Sequence, residues 1–137
     1  MTRATSSVIC LLLLSACSLA NNAPETTATR FIRVLVAEPR NVDSLRNFTD
    51  VPAGQDPTNV LHGLSTDVAV NYLQTRERQG EKQDFTANAV RPDGPAVRIV
   101  TVRVYRAGGK GRNAVSFRVA LRSVPGRGWL VTAVSAE

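Results

Sequence analysis

One histidine, His62, two cysteines, Cys10 and Cys17, and eleven scattered carboxylates bound the chemistry open to this chain. A lone imidazole excludes a histidine metal cluster, and no carboxylates fall in pairs at metal-ligand or acid–base spacing. The one group that could shuttle a proton is His62 with Asp67 and Tyr72. His62 and Asp67 are five positions apart, about 140° around a helix, so they do not share a face. A serine–histidine–aspartate combination has no Gly-x-Ser-x-Gly elbow to support it. Gly108, Gly109 and Gly111 lack the strand-to-helix setting and the Lys-Ser/Thr ending of a phosphate loop. These residues predict a protein that is not an enzyme, with no cofactor and no metal.

The remaining reactive group is the Cys17 thiol, and its setting is informative. It closes the run Leu11-Leu12-Leu13-Leu14-Ser15-Ala16-Cys17, behind Arg3 and an apolar stretch from about Val8 to Leu14. That stretch is too short to span a bilayer as a helix, which takes ~20 apolar residues. It suits the ~7–15 residue apolar core of an export signal. The opposing reading is a buried N-terminal helix that happens to hold a cysteine. Asn21 to Thr29 is polar, so the leader shows no continuity with a core. Leu14-Ser15-Ala16-Cys17 resembles the lipobox of bacterial lipoprotein precursors, in which peptidase cuts between Ala16 and Cys17 after the cysteine is lipidated. The resemblance implies removal of residues 1–16, a lipidated tether over 17–23, and a single domain over 24–137. Cys10 is lost with the leader, so no disulfide can form. Ser18, where an aspartate would hold an enterobacterial lipoprotein at the inner membrane, implies the outer membrane's periplasmic face. The membrane is then a partner through the covalent lipid on Cys17.

The 121 residues left after that cleavage suit one domain. Formal charge is +6 for the whole chain and +5 without Arg3. It is unevenly spread: Pro95 to Ala136 holds eight basic residues and no acid. Arg98, Arg106, Arg118 and Arg122 all fall on expected strands, with Arg118 and Arg122 on one face. They form a candidate patch for an anionic lipid, lipopolysaccharide or an acidic envelope protein. The plainer reading is that arginines keep exposed strands soluble and unpaired. Nucleic acid is not expected, because exposed aromatics do not interleave with these cations.

Periodicity places the elements. Ala28, Phe31, Ile32, Leu35 and Val36 make one helical stripe and predict a helix over 24–37, which Pro39 stops. Val42, Leu45 and Phe48 allow one or two further turns, and 51–56 is a loop. Asp56-Pro57 is an N-cap pair. Leu61, Leu64, Val68, Ala69, Tyr72 and Leu73 predict the core face of a long helix, broken at Gly63, capped again by Ser65 or Thr66, and ended at Gly80. Phe85–Val90, Val97–Arg106, Val115–Arg122 and Trp129–Ser135 alternate as strands, separated by Gly/Pro-rich turns. Helices followed by an antiparallel meander predict an α+β class, with helices on one face of the sheet.

This order, ending in Gly128-Trp129-Leu130-Val131, resembles the NTF2-like (cystatin-like) fold: N-terminal helices packed on one face of a curved four-stranded antiparallel sheet. The resemblance covers about 24–137 and rests on topology, so no catalytic residue is carried over. It implies two functional readings. The first is an accessory or partner-binding module whose interior is filled by Phe31, Leu73, Phe117 and Trp129. The second is a small-ligand-binding or catalytic pocket, which needs an open polar cavity of several hundred Å³.

Overall fold

The structure is a computed structural model that describes residues 23–38 and 41–137. The leader, its cleavage site Ala16–Cys17 and the lipidation site Cys17 lie outside the described residues.

Helix α1 (Pro24–Ala37) begins with proline at its first position, where a missing N–H costs nothing. Its stripe of Ala28, Phe31, Ile32, Leu35 and Val36 is buried, as the spacing predicts. Helix α2 (Val42–Arg46) is capped by Asn41, whose side chain accepts from the Ser44 amide at 3.1 Å, and it buries Leu45. A 3₁₀ turn (Pro57–Val60) is capped by Asp56, whose carboxylate accepts from the Thr58 amide at 2.9 Å and hydroxyl at 2.7 Å. Helix α3 (Leu64–Arg78) follows.

Four strands then run as an antiparallel meander in the order β1 (Gln83–Pro92), β2 (Val97–Arg106), β3 (Val115–Val124) and β4 (Gly128–Ala136). Bulges between Ala87 and Ala89 and opposite Ala120/Leu121 break the register. Such extra residues bend and twist a strand, and the sheet is curved and open. The α+β class and the helices-on-one-face arrangement are those expected from the sequence.

One sheet face carries the core. Val100, Val102 and Val104 lie opposite Val119, Phe117 and Val115, with Leu121, Val131 and Val134 completing the layer. Helix α1 lies across this face and touches all four strands, α2 and α3. Phe31, Leu73 and Phe117 fill the interior, while Trp129 is only half-buried and lies beneath the Arg98 guanidinium, 5.4 Å from its ring centre. The free edge of β4 is covered by the segment before α3. Thr49 and Leu61 make parallel bridges to Val131 and Val134, and the His62 amide donates to Val134 O at 2.8 Å. An otherwise open sheet edge is thereby protected.

Helix α3 corrects the sequence reading. Its buried residues are Thr66, Val70, Leu73 and Gln74, whereas Leu64, Val68 and Tyr72 face outward. Buried polar side chains fix this rotation. Thr66 Oγ1 donates to His62 O at 2.6 Å and accepts the Ala136 amide at 2.9 Å, fastening the start of α3 to the end of β4. Gln74 Nε2 donates to Leu35 O at 3.1 Å. The helical donor for that carbonyl would be residue 39, which is proline and has no N–H. Gln74 supplies the missing hydrogen bond. The helix also starts at Gly63 rather than on a serine or threonine cap.

Truncating Phe117 to alanine should lower unfolding free energy by about 3–5 kcal/mol, the usual cost of a large core cavity. Denaturant unfolding checks it, and a loss below about 1 kcal/mol would contradict the core described.

Candidate functional site

Two neighbouring surface features meet along α3. The first begins where the helix ends. Gly80, at φ +84°, takes the left-handed conformation that a β-carbon disfavours. The Gly80 amide bonds Glu77 O at 3.0 Å and the Glu81 amide bonds Arg76 O at 3.1 Å, a Schellman ending. This reversal swings the Glu81 carboxylate back against the Arg76 guanidinium. Arg76 donates through Nε and through Nη2, the latter at 2.7 Å to Glu81 Oε1. Arg76 Nη1 donates to the Tyr72 hydroxyl at 2.9 Å. Arg106, at the end of β2, approaches Glu81 Oε1 at 3.8 Å. Hydrogen bonds from Arg76 hold the Glu81 carboxyl below the usual carboxylate range, and those same bonds hold the Arg76 guanidinium protonated.

Around these four side chains opens a cleft of about 450 Å³ between the end of α3, the start of β1 and the β2–β3 loop. Its floor includes Leu73 and Val104, and Lys110, Arg112 and Asn113 stand over it. The sequence predicts a simple glycine hairpin over 107–111. The loop is longer and more bent, with Lys110 (φ 52°) and Asn113 (φ 54°) in left-handed conformations and Arg103 donating to Gly111 O at 3.2 Å. Gln83 lines the cleft, and its Oε1 is buried with no hydrogen-bond partner among the described residues. The cleft lies at the rim of the domain, where Leu73 and Val104 separate it from the rest of the core. Of the interior expected from the sequence, Phe31, Leu73 and Phe117 are buried and Trp129 is not. The cleft has the polar lining and size that the ligand-pocket reading needs, which counts against a purely filled domain.

The second feature is the outward face of α3. Leu64, Val68 and Tyr72 are 78%, 61% and 46% exposed and fall four residues apart in one row. Ser65, Asn71, Thr75 and Gln79, which surround the row, carry no charge, and all are exposed. Scattered exposed apolar residues are ordinary, but an aligned row on a surface helix is not.

The four arginines chosen from the sequence do not form one patch. Arg118 and Arg122 share the outer sheet face as expected. Arg98 and Arg106 have the opposite side-chain parity, at the two ends of β2. Each already has a partner: Arg98 with Gly94 O and Val97 O, Arg106 with Glu81, Arg118 with Glu137 at 2.8 Å, and Arg122 with Asp50. His62 and Asp67 are both exposed, and among the described residues no hydrogen bond joins their side chains. No metal-binding group of three or more His, Cys, Asp or Glu occurs among the described residues.

No family model matches the chain, and no curated protein matches it. Among solved structures, a chain named Rd1NTF2_05_I64F_A80G_T94P_D101K_L106W is similar over 81% of this chain and 96% of its own, at 18% identity and a TM-score of 0.45. Its name carries the NTF2 designation. At that identity no residue and no activity passes from that chain to this one.

Because the folded Glu81 carboxyl titrates below its unfolded value of about 4.3, its contribution is present above that pH and lost as pH falls through the depressed value. Glu81→Gln should therefore lower Tm at pH 7, with the gap to the parent protein closing once the pH has fallen through the depressed Glu81 value and both side chains are neutral. Equal gaps at pH 7 and in acid, read by thermal unfolding, would contradict the assignment.

Proposed function

We propose that this chain is an envelope lipoprotein, anchored through a lipid on Cys17, whose single α+β domain is a non-enzymatic partner-binding module facing the periplasm. The observation that carries the binding role is the row Leu64, Val68 and Tyr72. Apolar area left in water forfeits about 25 cal/mol per Å² relative to burial. A row set outward by hydrogen bonds from Thr66 and Gln74 on the opposite face is suited to being covered by another protein. Tyr72 is held ready by Arg76, whose guanidinium lies 5.2 Å from the ring centre as well as bonding its hydroxyl. The anchor is carried by Leu14-Ser15-Ala16-Cys17. Among the described residues no helix is long and apolar enough to cross a membrane. With α1 beginning at Pro24, a tether of about six residues reaches at most ~20 Å, so the domain sits close to the bilayer.

The cleft favours a second reading, binding of a small anion. Arg76, Arg106, Lys110 and Arg112 outnumber Glu81 there. Anionic-lipid binding by the sheet has less support, since the arginines of that reading are divided between two faces and already paired.

For the anchor, Cys17→Ala should abolish incorporation of radiolabelled palmitate and leave uncleaved precursor. Continued labelling would overturn the assignment. For the second reading, a panel of small phosphates and carboxylates should raise Tm only while Arg106 and Lys110 are intact. No shift from any of them would remove that reading and leave the first standing.

A further inference from the structure

The charges that flank the apolar row of α3 indicate what covers it. Taking Val68 as the centre of the exposed face, at about 100° per residue, Leu64 and Tyr72 lie about 40° to either side. Asp67 and Arg78 both fall on one flank, since eleven residues bring the helix back to within about 20°. They lie near opposite ends of the helix, Asp67 in the first turn and Arg78 in the last. Neither forms a salt bridge within the domain among the described residues.

An antiparallel pairing of this face with itself, about a two-fold axis, turns the same flank of both helices to the same side. It places Asp67 of each copy toward Arg78 of the other, twice. With the axis beside residues 71–72 the two side chains lie within one helical turn of each other along the pair, about 5 Å, which an extended arginine spans. Val68 then lies within about one turn of Tyr72 of the other copy, Leu64 falls opposite its Gln79 at the ends of the contact, and the two helix dipoles oppose favourably. A parallel two-fold pairing would turn these flanks to opposite sides of the pair and leave Asp67 and Arg78 far from each other.

We infer that the apolar row of α3 is the interface of a two-fold dimer of this chain, with Asp67 and Arg78 paired reciprocally across it. The inference rests on reading the row as the docking face and adds the identity of the partner. Three side chains on one helix give less than the ~800 Å² per subunit of a standard interface. The dimer is thus weak in dilute solution. Confinement of two anchored copies to one membrane raises their effective concentration and favours pairing.

The test uses the full chain in membranes, with two co-expressed copies carrying different tags and Val68 replaced by the photocrosslinker p-benzoylphenylalanine. Illumination should give a product of twice the chain's mass that carries both tags. Asp67→Arg should cut its yield about tenfold, as two attractive contacts become repulsive. Adding Arg78→Asp to the same chain should restore it, because the reversed charges again pair. A circular-dichroism melt of each variant confirms that it is folded. Cross-linking only to a different protein would overturn the dimer while keeping the docking face. Failure to cross-link to any protein would remove both. A loss that the double reversal does not rescue would overturn the reciprocal geometry.

Discussion

A carbonyl without a donor organises this domain. Leu35 lies four residues before Pro39, so α1 cannot satisfy that carbonyl from its own backbone. A buried carbonyl left unbonded costs about 1–3 kcal/mol, and Gln74 of α3 reaches across to bond it. At the other end of α3, Thr66 accepts from the last residues of β4 and donates to His62 O. With both ends fastened through polar side chains, the roll of α3 about its own axis is fixed. Val70 and Leu73 then complete the core beneath α1, and everything on the opposite side is left to solvent.

The functional features follow from that roll. Turning Thr66 and Gln74 inward turns Leu64, Val68 and Tyr72 outward, which makes the apolar row. It also sets Arg76 at the rim, where the reversal at Gly80 brings Glu81 back to it and Arg106 closes from β2. The cleft and the row are adjoining consequences of one helix orientation, joined through Tyr72, which belongs to both. A partner seated on the row would touch the side chain that orients Arg76, so occupancy of one feature bears on the geometry of the other.

Much of the fold was legible in the residues. Helix α1 has one apolar stripe, and burying it leaves no competing choice. The strands alternate cleanly, so β2 and β3 fall where the pattern places them, and proline and glycine mark their ends. Helix α3 departs from the sequence expectation because its sequence offers two faces. The row through Leu64, Val68 and Tyr72 is the more apolar one, and periodicity alone selects it. The face through Thr66 and Gln74 wins because its hydroxyl and amide meet groups 70 and 39 residues away in sequence. One local signal did exist: a proline four residues after a core leucine announces a carbonyl in need of a side-chain donor. The cleft was hidden for a related reason. Arg76 and Glu81 look like ordinary helix-end charges until the Schellman reversal brings them together. Strand parity separates Arg98 and Arg106 from Arg118 and Arg122, which a count of basic residues along the strands does not show.

The orientation of α3 is the claim on which both functional readings stand, and denaturant unfolding of two variants tests it directly. Val68→Ser should change unfolding free energy by no more than about 0.5 kcal/mol, as for an exposed position. Gln74→Leu should lower it by about 1–3 kcal/mol, because Leu35 O is left buried and unbonded despite the gain in apolar surface. The opposite order, a large loss at Val68 and none at Gln74, would mean that the helix faces the other way.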